Sequence, residues 1–450
     1  MLFVKATSLQ IIETLKKAGH EAYLAGGCVR DMLFGVDPKD FDIVTSAKPD
    51  EIEKLLEHTI PVGKEFGVIL AIKNGHKFEV ATFRSDSGYT DGRRPDAIEF
   101  TNAKEDALRR DFTINAMFYD PTNDEIIDYA GGQKDMKEKL IRFIGDPEER
   151  IKEDHLRMLR AVRFKNNFGF QYEPKTYNAI KKHSHLITKI SKERVRDELN
   201  KMIMGANAER GFEELYELGL LDHVMPEAVK MKGVGQPMQY HNEGDVWDHS
   251  LLSLKNLTDE GADPDPLPEI ISLELRWATF LHDVGKPDTF VSAKDRIRFD
   301  GHSEKGAELA KKILTRLKFP KKSIERICWL IEHHMMVYPL FRMPNKRKKH
   351  WFLKEGFPEL LEVYRADALG IDPVDLTAYE GLKKLYRHEI AVLKLMPKKL
   401  IDGQKVMKLT GLPPGKKLGK ILDTVRKLQI EGDLKTPKDA EEYVKKMKKI

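Results

Sequence analysis

Gly26-Gly27-Cys28-Val29-Arg30-Asp31, followed at short range by Asp40-Phe41-Asp42, decides how this chain is read. Strand side chains alternate with period two, so Asp, apolar, Asp in extended backbone puts both carboxylates on one face. Two carboxylates side by side make a clamp for a hard divalent cation. Gly26 and Gly27 carry no Cβ, which lets backbone amides approach a ligand closely, and the planar Arg30 fork matches phosphate oxygens. Together these residues point to Mg²⁺ and a triphosphate. Asp-x-Asp in isolation is also a common turn sequence, so the neighbours have to decide between the two readings.

Working outward, Tyr23–Ala25, Phe41–Val44, Val68–Ile72 and Lys77–Phe83 read as short strands, with Asn74-Gly75 a hairpin turn between the last two. Glu79 on the last of these is a third candidate carboxylate, to complete the metal site or orient an attacking hydroxyl. Such a trio suits two-metal phosphoryl transfer, in which one ion acidifies a 3′-hydroxyl and another holds the triphosphate. Ala107–Phe118 reads as a helix, with Arg109-Arg110-Asp111 at its start offering phosphate or sugar contacts aided by the helix dipole. Arg84–Pro95 is polar and glycine-containing and reads as a mobile loop near the site.

After Pro147 the periodicity becomes helical, with Leu156, Leu159 and Val162 and then Phe212, Leu215 and Leu218 spaced three apart. At the head of this region stands Glu153-Asp154-His155-Leu156-Arg157-Met158-Leu159-Arg160-Ala161-Val162-Arg163. Three-residue spacing at a helix start projects Asp154 and Arg157 to one face, with Arg160 and Arg163 following less directly. Arg157 can donate to a ring nitrogen while Asp154 accepts from an exocyclic amine. Cytosine and adenine present that polarity; guanine and uracil present the reverse. A protein edge of this kind would accept CTP and ATP and reject GTP and UTP without a nucleic-acid template; taken alone, the same spacing also suits i,i+3 and i,i+4 surface ion pairs.

These stretches resemble, in order, the motifs of the class II tRNA nucleotidyltransferases and bacterial poly(A) polymerases, within the DNA polymerase β superfamily. The motifs are Gly26-Gly27 with Arg30, Asp40/Asp42, Arg109–Ala116, Asp128–Gly132, Glu153–Arg163 and Ser191–Leu199. The resemblance spans about Tyr23 to Met204. It implies that Asp40 and Asp42 hold catalytic metals, that Arg110 and Asp111 contact the nucleotide, and that Asp154 and Arg157 select C or A. It also implies that a loop like Arg84–Pro95 takes part in the change from C to A addition. CC-adding relatives lack much of that loop, so its presence argues against CC addition alone. Addition of A only, or of poly(A), remains the nearest alternative.

Farther along, His249, His282-Asp283 and Asp367, with His302, His333 and His334 between, are similar to the HD superfamily of metal phosphohydrolases. Mixed His and carboxylate ligation suits Mn²⁺, Fe²⁺, Ni²⁺ or Mg²⁺ better than a structural zinc. A phosphohydrolase acting on RNA or nucleotides is therefore the competing reading from a different class.

Bulk properties agree. The chain has 450 residues, enough for about three domains, and 41% hydrophobic content. No apolar run approaches a membrane span, and Met1–Gln10 has no secretory signal pattern. Two distant cysteines, Cys28 and Cys328, fit a reducing cytoplasm. Net charge is +5, but residues 391–450 hold sixteen Lys and Arg against seven Asp and Glu, which suits a polyanionic partner, tRNA. Within that tail, Gly411–Gly419 is a turn with amides and lysines placed for a sugar-phosphate backbone. The expected architecture is α+β: a polymerase β-like nucleotidyltransferase head with a small mixed sheet (1–145) and a largely all-helical body. The body divides into a nucleotide-selecting and RNA-binding neck (146–235), an HD domain (236–375) and a basic helical tail (376–450).

Overall fold

Short β-branched and aromatic runs between residues 22 and 128 pair into one mixed sheet. This computed structural model describes residues 2–89, 92, 95–236, 244–257, 267, 271–292, 297–394 and 399–447. The strands are β1 (Ala22–Ala25), β2 (Asp42–Thr45), β3 (Thr59–Gly63), β4 (Val68–Lys73), β5 (His76–Thr82), β6 (Arg84–Ser87), β7 (Ala97–Phe100), β8 (Met117–Asp120) and β9 (Glu125–Asp128). Seven of them form the sheet in the order β3-β4-β5-β2-β1-β8-β9. Only β2 and β5 run parallel; every other pairing in the sheet is antiparallel. Asn74 (φ 52°) and Gly75 (φ 78°) close the β4–β5 hairpin with both central residues left-handed, as the two-residue turn requires. Ile11, Leu24, Ile43, Ile69 and Val80 are fully buried in one core cluster, and Val44, Phe83, Ala107 and Phe118 belong to another. Each of the larger of these side chains contributes roughly 1.5–3 kcal/mol on burial.

Two local expectations are corrected. The helix expected over Ala107–Phe118 is instead the end of a helix, Ala103–Leu108, then a 3-10 turn at Thr113–Asn115, then β8. The Asp111 carboxylate accepts the Phe112 amide (2.8 Å) and the Asn115 side-chain amide (3.1 Å), so a side chain competes with the helical ladder. Phe112, Ile114, Ala116, Met117 and Phe118 are buried without a polar face, which a strand in a covered sheet satisfies better than a surface helix. The loop expected over Arg84–Pro95 begins as β6, which pairs with β7 in a two-stranded ribbon. Thr90, Asp91, Arg93 and Arg94 of that loop lie outside the described residues.

Helices follow the sheet as the periodicity predicts: Pro147–Glu153, Arg157–Phe168, Pro174–His183, Lys192–Ile203 and Ala208–Glu217, with a two-residue parallel bridge between Leu140–Ile141 and Gln171–Tyr172. The chain divides into two compact units, 1–226 and 227–450. The second contains Val246–Asn256, Leu273–Leu281, His302–Arg316, Lys321–His333 and Phe357–Ala368. Its last three helices, Gly403–Thr410, Lys416–Glu431 and Pro437–Met447, close over their own small core of Val406, Leu418, Val425, Ala440 and Val444. Gly411, at φ 75°, ends the first of these three, where the sequence places a turn. Pro237 and nearly all of Gly261–Pro268 lie outside the described residues. Among the described residues no helix is long and apolar enough to cross a membrane.

Candidate functional site

At one end of the sheet three strand ends meet. Ala25, the last residue of β1, pairs with Asp42 on one side and Phe118 on the other. The Gly26-Gly27 turn, the start of β2 and the segment before β8 therefore lie together. Gly26 sits at φ 71°, ψ −126°, a conformation that favours glycine, and a Cβ there would crowd Arg110 Nη1 at 3.0 Å. Parallel pairing of Ile43 with Val80 sets Asp42 beside Glu79. Asp40 lies just before β2 rather than within it, yet the alternation holds: Phe41 is buried and Asp40 and Asp42 are exposed. The Asp42 carboxyl is pushed up to about 6, first by desolvation, then by the charge of Glu79 and to a lesser degree Asp40, with Arg110 opposing. This end of the sheet is thus short of positive charge, and Asp42, Glu79 and Asp40 are hard oxygen donors of the type a divalent cation takes, although their carboxylates are not gathered within 4.8 Å of one another as the ligand atoms of His249, His282 and Asp283 are.

Beside the carboxylates opens a cleft of 560 Å³ whose walls include Gly26, Gly27, Asp42, Arg110, Asp154 and Arg157. Arg30 also lines it, but its donors are held: Nη1 on Asn115 Oδ1 (2.6 Å), Nε and Nη2 on Asp31 (2.9 and 2.7 Å), and the guanidinium over the Phe168 ring. Arg109 and Arg110 follow the C-terminal end of Ala103–Leu108, so the expected help from a helix N-terminus is absent. Both are pinned instead by Asp106, which is fully buried, at 2.7 and 3.1 Å. The signal for Asp106 was its spacing, three and four residues ahead of the two arginines. Arg110 lies over the Phe118 ring, and its buried Nε has no hydrogen-bond partner. Asp111 accepts from Arg160 Nε (2.7 Å). Burial alone would raise its carboxyl, but Arg160, the Asn115 hydrogen bond and Arg157 outweigh it and hold the group at about 2. The β6–β7 ribbon is tied to the same network: Asp86 meets Arg84 (3.0 Å) and Arg109 (3.3 Å) and accepts from the Tyr89 hydroxyl (3.2 Å).

Asp154 is not in a helix. It caps Pro147–Glu153 in extended conformation (φ −143°), and the next helix starts at Arg157, so a bend between two helices, not a shared helical face, brings the pair to one cleft. Arg194 Nη1 and Nη2 donate to the two Asp154 oxygens at 3.1 and 2.7 Å, and the Leu156 amide donates to Oδ1 at 3.0 Å. Arg157 Nη1 pairs with Glu153 and donates to the Arg150 carbonyl (3.0 Å). Arg163 Nε donates to Glu198 (2.6 Å) and stacks over Phe164. Arg194 and Glu198 both belong to the Ser191–Leu199 stretch, whose individual residues the sequence did not distinguish. Asp128 does structural work: its carboxylate accepts the amides of Ala130, Gly131, Gly132 and Gln133 at 2.9–3.1 Å, fixing the helix Gly132–Glu138.

In the second unit the four ligand candidates converge. His249 Nε2 lies 2.9 Å from Asp367 Oδ1, and His282 Nε2 lies 3.2 Å from Asp283 Oδ2 and 3.8 Å from Asp367 Oδ1. Two further histidines join them: His302 Nε2 is 3.5 Å and His334 Nε2 3.9 Å from Asp283 Oδ1. Lys286 Nζ reaches Asp283 Oδ2 at 2.6 Å. His333 does not join; it stacks on Trp329 and bonds that residue's carbonyl. Desolvation would raise Asp283, but His282, Lys286 and His302 hold it well below the usual carboxylate range, whereas burial, with His282, takes His334 down to about 4.

Three family models match the chain: a poly A polymerase head domain over residues 22–142, a probable RNA and SrmB-binding site of polymerase A over 169–231, and an HD domain over 246–369. A CCA-adding enzyme of Ligilactobacillus salivarius is 45% identical over 214 residues, 47% of this chain and 53% of that protein, so the match spans about half of that relative's length. The CCA-adding enzyme of Bacillus subtilis is 30% identical over 446 residues, covering 99% of this chain and 98% of the relative. The A-adding tRNA nucleotidyltransferase of Deinococcus radiodurans is 33% identical over 439 residues, covering 94% and 95%. Among solved structures, the Bacillus stearothermophilus CCA-adding enzyme in complex with CTP superposes with a TM-score of 0.72 at 26% identity, covering 99% of this chain and 97% of that one.

Proposed function

This chain belongs to the tRNA nucleotidyltransferase family, and from that premise we propose that it adds CMP and AMP, taken from CTP and ATP, to the 3′ end of tRNA without a template. The observation that carries this reading is that Asp154 and Arg157 face the same cleft as Asp42. In it Arg157 donates to N3 of cytosine or N1 of adenine while Asp154 accepts the exocyclic amine; guanine and uracil meet donor with donor and acceptor with acceptor. Arg194 and Glu153 hold the two side chains at that edge. Arg110, which lines the cleft, takes a phosphate or sugar oxygen, and Asp111 is kept ionised by Arg160 to brace the wall.

The matched head and HD domains imply a divalent metal. In the head Asp40, Asp42 and Glu79 would hold Mg²⁺, which would acidify the primer 3′-hydroxyl and offset charge on the triphosphate. With the hydroxyl proton passed to water, the 3′-oxygen bonds to the α-phosphorus as the bond to pyrophosphate breaks. In the second unit His249, His282, Asp283 and Asp367 fit a metal as well, since His282 Nε2 and Asp283 Oδ1 are buried without a hydrogen bond; Mn²⁺, Fe²⁺, Ni²⁺ or Mg²⁺ there would support an accessory phosphohydrolase. The four segments 1–145, 146–235, 236–375 and 376–450 then carry chemistry, base choice, HD site and tRNA backbone contact. Cys28 and Cys328 are unpaired, in keeping with a reducing cytoplasm.

Extension of tRNA lacking CCA, and of tRNA ending in CC, with each nucleoside triphosphate supplied singly tests the reading. CMP is expected on the first and AMP on the second, with neither UMP nor GMP. AMP alone, and only on CC-ending tRNA, would establish the second reading, A-addition, which the Deinococcus relative favours. Incorporation surviving Asp42→Ala would overturn the assignment to the head.

A further inference from the structure

The helix Arg157–Phe168 carries Arg157, Arg160, Phe164 and Phe168 at spacings of three and four, which set them along one stripe. Arg157, at its start, belongs to the base-reading edge. Its far end meets the short helix Gly27–Leu33 that follows the Gly26-Gly27 turn. There the Arg30 guanidinium carbon stands over two rings, 4.6 Å from the centre of Phe168 and 5.2 Å from that of Phe164. Phe34, which ends the short helix, stacks on Phe168 as well, with centres 5.3 Å apart and planes inclined by 21°. Phe164 and Phe168 are nearly parallel to each other, at 8°.

Hydrogen bonds fix the same guanidinium in its own plane. Asp31 accepts from Nε and Nη2 at 2.9 and 2.7 Å, and Asn115 Oδ1 accepts from Nη1 at 2.6 Å. Asn115 in turn donates to Asp111, which accepts from Arg160 on the helix that bears the rings. A guanidinium held at its edges still has an open face, and a flat ring is the side chain that covers it. Arg30 also packs against the phosphate turn: a Cβ on Gly27 would stand 3.6 Å from its Nη2.

The two rings differ in what they can touch. Phe164 lines the cleft, whereas Phe168 lies one turn farther along the helix, half-buried. Phe168 therefore acts on a nucleotide only through Arg30 and Phe34. Those two residues are well placed to transmit it. Arg30 lies against the turn, and Phe34 opens the segment that reaches Asp40 six residues later. A nucleotide read by Asp154 and Arg157 has to present its phosphates at that turn in the same moment, so the separation of edge and turn is a requirement of the reaction.

We propose that Phe168 is a positioning residue for nucleotide addition. Its ring, stacked on Arg30 and Phe34, holds the phosphate turn at a fixed separation from the Asp154/Arg157 edge, so that a base seated there brings its α-phosphorus to the carboxylates. This rests on the function proposed above and adds the residue that sets the reach.

The test compares the full natural chain with Phe168→Leu, which keeps apolar bulk without a ring face, and Phe168→Tyr, which keeps the face. Steady-state incorporation into CCA-less and CC-ending tRNA gives kcat and KM for CTP and ATP. Phe168→Leu should lower kcat about tenfold and leave KM within about twofold, because the contacts at each end survive and only their alignment is lost. Phe168→Tyr should stay within about twofold in both. A readout independent of the reaction uses ¹⁵N-arginine in the natural chain, with the Arg30 Nε–H resonance identified by its disappearance in Arg30→Lys. That proton should show nuclear Overhauser contacts to phenylalanine ring protons, and its resonance should move downfield in Phe168→Leu as a ring current is removed. Natural kcat in Phe168→Leu, or a loss confined to KM, would overturn the positioning role while sparing the proposed function. Absence of the ring contacts in the natural chain would overturn the stack, with no variant at Phe168 needed. Those contacts present in a natural chain that incorporates neither CMP nor AMP would overturn the proposed function and the role built on it, leaving the stack in place.

Discussion

Arg194 gives the sharpest test of how the base edge works, because nothing in the proposed chemistry needs it except the placement of Asp154. Its guanidinium donates to both Asp154 oxygens at 2.7 and 3.1 Å, with the two side chains 23% and 19% exposed. Charge-assisted bonds contribute roughly 1.5–3 kcal/mol each in mutational series, and partial exposure and the surviving bond from the Leu156 amide reduce the pair's joint effect to about 2 kcal/mol. Arg194→Ala should therefore lower kcat/KM for CTP and ATP by about thirty-fold. The loss should fall on both correct nucleotides and spare UTP and GTP, so discrimination narrows as efficiency drops. Single-turnover incorporation into CCA-less and CC-ending tRNA measures both quantities, and Arg194→Lys, which restores one bond of the two, should lie between. A folded Arg194→Ala protein with unchanged kcat/KM for CTP and ATP would refute the claim that this bond holds the selecting carboxylate.

Gly132→Ala adds a Cβ that would run into the Thr113 carbonyl oxygen and come within 2.9 Å of Met117 Cγ. Overpacking of that kind costs about 2 kcal/mol, a drop of about 4–8 °C in the thermal midpoint of the first unit, and an unchanged midpoint in calorimetry would contradict it. A pH effect follows from Asp42. Its carboxyl stands at about 6, above the ordinary value, so ionisation between pH 4 and 6 costs the folded head stability, and below pH 6 the proton competes with a cation. The Mg²⁺ concentration for half-maximal incorporation should rise about tenfold from pH 8 to pH 5, and a flat profile in Mg²⁺ titrations would exclude Asp42 as a ligand.

What the sequence made legible was local or periodic. The β4–β5 hairpin, β1 and the alternation Asp40-Phe41-Asp42 follow from side-chain period and turn chemistry, and the structure brings Glu79 beside Asp42 through one parallel pairing. The helix over Ala107–Phe118 failed because Asp111 bonds its own backbone neighbours while the apolar residues after it enter the sheet. Asp154 and Arg157 do share a cleft, but the bend that unites them is invisible to helical spacing. Arg194 could not be singled out, since its partner lies forty residues away in sequence. Likewise His333 and His334 are indistinguishable as letters. Adjacent helical positions point about 100° apart, so one stacks on Trp329 and the other turns inward toward Asp283.

On the proposed function, choosing a base without a template would place a demand on the protein that these pairings would meet. A single donor or acceptor on a mobile side chain could rotate to suit either hydrogen-bond polarity; an edge reads sequence only if both members are fixed. Asp154 is held by Arg194 and Leu156, and Arg157 by Glu153 and Arg150, so the polarity is set before a nucleotide arrives. Pairing also keeps the cost of desolvating these charges low, because each guanidinium already has a carboxylate. Asp42 at the other end of the cleft has only partial compensation, from the charge of Arg110. Asp42's raised proton affinity records that deficit, and only a cation and the triphosphate it carries would fill it. The base end is therefore complete in the protein alone, whereas the phosphate end is completed by what binds. Specificity and catalysis are accordingly separable: weakening Arg194 should blur the choice of base while leaving the Mg²⁺ requirement in place, and acidification should do the reverse.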